Sequence, residues 1–138
     1  MRKIYETEED RKNQEEVLKH VQNAWNCQYV KTAHLSSVDG FLCANNQILA
    51  LVEVKTRKNA SDKYPTYMLS ANKWRKALEL SDQHKVPFML VVKFTNGVYA
   101  AKLKREYPTH HGGRYDRNDA MDVEECVYIP MKEFRQVT

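Results

Sequence analysis

The stretch ILALVEVKTRK, Ile48 to Lys58, reads as a buried strand interrupted by an acid and a base two positions apart. Side chains at i and i+2 share a face of a strand, so Glu53 and Lys55 project together beside Leu49 and Leu51, while Ile48, Val52 and Val54 point the other way. Neither face is polar. Two solvated side chains on a half-exposed strand are the ordinary explanation of such a pair, but this segment offers no polar face to host them.

The partner of this strand supplies a reason. Val38 to Cys43 also reads as a strand, and Ala44-Asn45-Asn46-Gln47 between the two is a turn, since asparagine tolerates positive φ. With Asn45 to Gln47 as a three-residue loop, Cys43 lies opposite Leu49, Phe41 opposite Leu51, and Asp39 opposite Glu53. Phe41 then shares the face of Glu53, and Val38 and Leu42 the other. Directly paired residues have Cβ atoms roughly 4.5–5.5 Å apart, where two carboxylates repel unless a cation lies between them. Oxygen ligands without clustered imidazoles or thiolates indicate Mg²⁺ or Mn²⁺, which take one or two carboxylates and keep several waters. With Lys55 beside it, such an ion suits phosphodiester hydrolysis. The metal polarises a phosphoryl oxygen and acidifies water, while the amine orients or deprotonates that water or offsets charge on the phosphorane.

The rest of the chain supports a compact α/β domain spanning residues 1–138. Thr7-Glu8-Glu9-Asp10 starts a helix running from about Glu8 to Trp25, with Val17, Leu18, Val21, Ala24 and Trp25 on one face. Cys27 to Thr32 is a weakly alternating strand. After a polar loop, Arg57 to Thr66, Ser70 caps a second helix that carries Trp74, Ala77, Leu78 and Leu80 to about His84; Ser70 and Lys73, with Tyr67, open it. Both tryptophans are core residues on this reading. Phe88 to Phe94 is apolar throughout, as a strand covered on both faces must be, and Thr95-Asn96-Gly97 turns it into Val98 to Leu103. Arg105 to Asp122 is a long polar span whose adjacent His110 and His111 are incidental, and Val127 to Ile129 forms an edge strand ended by Pro130. The order is αβββαββ, a central mixed sheet flanked by helices.

Charge points to a polyanion. Twenty-two Lys plus Arg against eighteen Asp plus Glu leave +4, and seven basic residues stand between Lys55 and Lys76 against one acid, Asp62. The three cysteines form no CxxC pair, the N-terminus lacks an apolar core, and no window is long enough to span a membrane, so the expected setting is reducing and cytoplasmic.

Asp39, then Glu53-Val54-Lys55, on the second and third strands of an α-β-β-β-α-β arrangement resemble the PD-(D/E)XK nuclease superfamily over Thr7 to Leu103, with a restriction-endonuclease-like core. Gly112-Gly113-Arg114 through Arg117, Asp122 and Glu124 to Pro130 is similar to small phage-borne members. The resemblance implies a DNA endonuclease using Mg²⁺ or Mn²⁺, with Asp39, Glu53 and the Val54 carbonyl as ligands and Lys55 near the attacking water. It also implies DNA contacts, for which Arg57, Lys58, Ser70, Lys73, Arg114 and Arg117 are the candidates. Resolvase-like selectivity for branched DNA and a homodimer with two active sites belong to the same expectation.

The family adds a Glu from the first helix, and here the chain departs. With about 100° per residue, Gln14 falls within about 20° of the centre of the apolar face, and Glu15 about 100° further round. Either a helix offset brings Glu15 to the site or Gln14 holds the position as a neutral ligand to metal water; the wheel favours Gln14. The departure keeps open a second reading, a nuclease-like DNA- or partner-binding module without turnover.

Overall fold

The computed structural model describes residues 8–31, 38–107, 109–113 and 123–137. Helix α1, Glu8–Trp25, is followed by strands β1 (Gln28–Lys31), β2 (Gly40–Ala44), β3 (Gln47–Thr56) and β4 (Thr66–Ser70), helix α2 (Ala71–His84), then β5 (Phe88–Phe94), β6 (Gly97–Lys102), β7 (Thr109–Gly113), β8 (Val123–Pro130), a single 3₁₀ turn (Met131–Glu133) and β9 (Arg135–Gln136). Six strands form a mixed sheet in the order β1-β2-β3-β5-β6-β9, in which β3 and β5 run parallel and the other neighbours antiparallel. This is the α/β class expected from sequence. A separate antiparallel sheet, β4-β8-β7, packs beside α2.

The main sheet separates two apolar clusters. Val17, Leu18 and Val21 of α1 pack on Leu42, Ala50, Val52, Val54, Val91 and Ala100. On the other face, Ala71 and Ala77 of α2 and Tyr67, Leu69, Val127 and Ile129 of the small sheet cover Leu51, Phe88, Leu90, Val92 and Phe94. The continuous apolarity of β5 therefore has its expected cause: alternate residues go to different clusters. Val38 belongs with Leu51 rather than with Leu42, because strand alternation begins only at Gly40.

The β2–β3 hairpin differs from the expected loop yet reaches the expected register. Its turn is two residues, Asn45 and Asn46, with φ of 52° and 62°, the positive pair that a tight twisted hairpin requires. Cys43 consequently faces Ile48, not Leu49. A register shift between Leu42 and Cys43 then restores Phe41↔Leu51 and Gly40↔Val52. Loop length and bulge compensate, so Asp39 still arrives beside Glu53.

Other expectations are corrected. Thr66–Ser70 is a strand rather than loop and helix start, so Tyr67 sits on β4. The span after Arg105 contains β7, with His110 and His111 within it. β8 is the central strand of the small sheet, not an edge, since β4 and β7 pair with its two sides. Trp25 stands 37% exposed at the end of α1, whereas Trp74 packs on the core and donates Nε1–H to the Lys104 carbonyl at 2.8 Å. Among the described residues, no helix is long and apolar enough to cross a membrane.

Candidate functional site

Strand alternation sets the orientation of the charged pair. Val52 and Val54 are buried against α1, so Glu53 and Lys55 emerge on the face shared with α2 and the small sheet. Lys55 Nζ lies 3.3 Å from Glu53 Oε1, and Lys73 Nζ, from the first turn of α2, lies 3.9 Å from the same oxygen. The Glu53 side chain is only 14% exposed, so these contacts sit in a partly desolvated environment where charge interactions are stronger than in water.

Asp39 brackets Glu53 along β3. Its backbone N–H donates to the Val52 carbonyl at 3.2 Å, and its Oδ2 accepts the Val54 N–H at 2.6 Å. Burial pushes the Asp39 carboxyl above its usual range; the Val54 hydrogen bond opposes this, the Glu53 charge adds to it, and Lys55 and Lys73 oppose it. Glu53 is thus close enough to add to the cost of ionising Asp39. For Lys55, burial works against the ammonium form, but the charge of Glu53, hydrogen bonding to it and the charge of Asp39 prevail, and the net shift is upward. The amine is held protonated.

Three neighbours support this cluster without having been expected from sequence. Tyr29 donates its hydroxyl to the Asp39 carbonyl at 2.8 Å, and burial, then the Asp39 charge, push that phenol to about 12. Gly40 makes room for it, because a Cβ there would lie 2.3 Å from the Val30 carbonyl oxygen and 2.5 Å from the Tyr29 ring. Tyr67, 5% exposed, carries an Oη that has no hydrogen-bond partner among the described residues. Arg57 lies over its ring, Cζ 5.0 Å from the centroid, and acts on the hydroxyl chiefly through its charge. Burial raises the Tyr67 phenol, with Arg57 and Lys55 opposing and Glu53 adding. A Tyr at this spacing carries no sequence signal that separates it from an ordinary core aromatic.

The remaining candidates are placed as follows. Ser70 occupies the N-cap position of α2 without a side-chain cap hydrogen bond. Lys58 is exposed just beyond β3. Arg75, also in the basic stretch, pairs with Glu125. Gln14 is half-buried on the α1 side of the sheet, in a groove with Glu15, Leu18, Gln22, Tyr29 and Lys31; Glu15 is exposed. Arg114 and Arg117 lie outside the described residues. The structure therefore brings Asp39, Glu53, Lys55 and Lys73 together, and puts Gln14 on the opposite face, next to the tyrosine that bonds Asp39.

Two carboxylates and a strand carbonyl, all hard oxygen donors, fit one Mg²⁺ or Mn²⁺ ion that keeps part of its hydration shell. The burial and the Glu53 charge that disfavour ionised Asp39 are what a cation would offset. No cluster of three or more His, Cys, Asp or Glu side chains suited to a metal occurs among the described residues.

Comparison with known proteins agrees with the architecture. The family model described as "Phage putative PDDEXK endonuclease" matches residues 1–137. Among solved structures, Hjc, a Holliday junction resolvase from the archaeal hyperthermophile Archaeoglobus fulgidus, superposes with a TM-score of 0.62 at 12% identity, covering 92% of this chain and 90% of that one. At that identity the likeness is one of fold. No curated protein matches.

Proposed function

The chain belongs to the phage PDDEXK endonuclease family, and from that premise we propose that it is a metal-dependent endonuclease that hydrolyses phosphodiester bonds in DNA, with selectivity for branched or otherwise irregular structure. The observation that carries this is the Asp39–Glu53–Lys55 cluster: two acids bracketed on one strand with a protonated amine 3.3 Å from one of them. Asp39, Glu53 and the Val54 carbonyl would hold Mg²⁺ or Mn²⁺, which supplies Lewis acidity at the scissile phosphate when bound. Lys55, kept as an ammonium, stabilises the charge that builds on the phosphoryl oxygens and orients the attacking water, rather than accepting its proton. Lys73 and Ser70 at the start of α2, with Arg57 and Lys58 beyond the end of β3, grip the flanking DNA backbone. Gln14, half-buried in the α1 groove it shares with Tyr29, stands where the resemblance implies a glutamate and would act as a neutral partner to metal-bound water.

The solved neighbour of like fold is a Holliday junction resolvase, which supports branched DNA as the substrate; a homodimer would place one site on each of two strands. The test is incubation of the purified protein with supercoiled plasmid and with a four-way junction, in Mn²⁺, in Mg²⁺ and in EDTA, beside Glu53→Gln. Nicking that requires metal and is lost in the variant is the expected result; equal nicking by both proteins would assign the activity to a contaminant.

A second reading, a DNA-holding module without turnover, draws on Gln14 standing on α1 where the resemblance implies a glutamate. DNA binding by the wild type with no cleavage in either metal would favour it.

A further inference from the structure

Beyond the carboxylate cluster, the face that carries Glu53 and Lys55 continues to Arg57 and opens into a cleft of about 440 Å³. That volume lies within the range of about 300–1,000 Å³ typical of small-molecule pockets. Its walls include Arg57, Tyr64, Tyr67, Met68, Tyr128 and Met131, with polar Asn59, Ser61 and Thr66 among the rest. Flat aromatic and thioether surfaces with one guanidinium form an unusual lining for the outside of a basic protein. Tyr64 and Met68 are 55% and 46% exposed, and Tyr67 brings a buried hydroxyl that lacks a partner among the described residues. Such a group costs free energy until something bonds it.

The cleft is preformed. The loop that bears Tyr64 is tied to the β5–β6 turn by Ser61 N–H to Asn96 Oδ1 at 2.8 Å, Asn96 Nδ2 to Ser61 Oγ at 2.9 Å, and Thr95 N–H to the Asn59 carbonyl at 3.0 Å. The Pro65 carbonyl accepts from Met131 N–H at 2.9 Å. Glu53 to Arg57 is four residues of extended chain, about 13 Å, so the cleft opens within a nucleotide or two of the carboxylates.

We propose that this cleft receives one unpaired nucleotide of the DNA, its base against the Tyr64 ring and the methionine thioethers and its phosphate on Arg57. The substrate that the cluster acts on therefore carries an unstacked nucleotide beside the phosphodiester to be cut, as a flap or single-strand junction does and a continuous duplex does not. Every base has a π-face, so such a site accepts an unpaired nucleotide without reading its identity. A duplex withholds its bases from the cleft. The inference takes the identity of the polymer from the nuclease reading, but its test needs neither metal nor turnover.

Fluorescence anisotropy in EDTA compares a blunt duplex, the same duplex with a short unpaired flap, and a single strand, for the wild type, Tyr64→Ala and Tyr64→Phe. Tyr64 is too exposed for its loss to threaten the core. The wild type should prefer the flap to the blunt duplex. Tyr64→Ala should weaken flap and single-strand binding at least about fivefold, the lower end of what one lost base–aromatic stack does, and leave the blunt duplex within about twofold; Tyr64→Phe should retain wild-type affinity. A 2-aminopurine at the first unpaired position should lose fluorescence on binding to the wild type and keep it with Tyr64→Ala. No preference in the wild type, or equal loss on all three DNAs in Tyr64→Ala, overturns the proposal. If the flap effect appears while neither the flap DNA nor the four-way junction is cut in Mg²⁺ or Mn²⁺, the cleft stands and the nuclease reading falls; cleavage with unchanged flap binding in Tyr64→Ala leaves the nuclease standing and removes the cleft.

Discussion

Neighbouring residues of β3 meet opposite surroundings. Val52 and Val54 lie against α1 among aliphatic side chains, at 0% and 9% exposure, while Glu53 and Lys55 lie among acids, amines and a buried phenol on the other face. A period of two in one strand separates a wholly aliphatic face from one on which charged side chains emerge beside the second apolar cluster, the face to which the proposed chemistry belongs. If that separation is real, substitutions on the two faces should fail in different ways, one losing stability and the other turnover.

The largest effect expected is on turnover. Lys55→Ala removes the protonated amine beside Glu53 and should lower DNA cleavage about 10²–10³-fold, the usual cost of losing one preorganised electrostatic stabiliser, while the urea midpoint moves little. A variant that loses activity only in proportion to its folded fraction would place Lys55 on the structural side.

Gly40→Ala tests the point at which the two faces are joined. Tyr29 packs with the α1 cluster yet bonds the Asp39 carbonyl across Gly40. The added methyl collides with the Val30 backbone oxygen, which cannot move as a side chain can. Overpacking of this kind costs about 3 kcal/mol at the upper end of its ordinary range, and thermal denaturation should show it alongside impaired cleavage by the folded fraction, since Asp39 shifts with its neighbour. Val52→Ala stays on the structural side alone: two buried carbons lost from a fully enclosed site cost about 2 kcal/mol, read from the shift in urea midpoint at unchanged slope, with activity per folded molecule intact.

The same contrast explains what could be read from sequence. Five strands of the main sheet were legible, the two-residue β9 being too short to carry a period, because the longer segments have strong periodic signals: α1 repeats its apolar face at helical spacing, β5 is apolar throughout, and Glu53 and Lys55 stand out against an aliphatic background. Even the hairpin register came out right at Asp39, although through two features, a two-residue turn and a bulge, that cancel. The small sheet was not legible. Thr66–Ser70 is short, follows Pro65 and runs directly into a helix, so its alternation is cut off before it repeats, and its partner β8 comes only after α2, the β5–β6 hairpin and β7. Tyr67 and the cleft behind it exist only through that long-range pairing. The separation of Gln14 from the carboxylates was equally hidden, because a helical wheel fixes direction about one axis and says nothing of which side of the sheet the helix covers.

The smallest effect concerns Asp39, and its sign is the sharpest test of a face built for chemistry. Burial, reinforced by Glu53, raises the Asp39 carboxyl in the folded protein above its ordinary value of 3.8. The native state then holds the proton more tightly than the unfolded chain, so the stability contributed by this residue is present below 3.8 and is lost as pH rises from there through the folded value. At neutral pH the wild type carries that loss, whereas Asp39→Asn, which can still accept the Val54 N–H through its amide oxygen, does not. In EDTA at pH 7 the variant should melt higher than the wild type, and the difference should shrink as the pH is lowered towards 4. Saturating Mg²⁺ should reverse the order, because ligand binding stabilises only the protein that can bind it. A wild type that is the more stable of the two in EDTA at neutral pH would mean that Asp39 serves the fold, and the division between the faces of β3 would no longer hold.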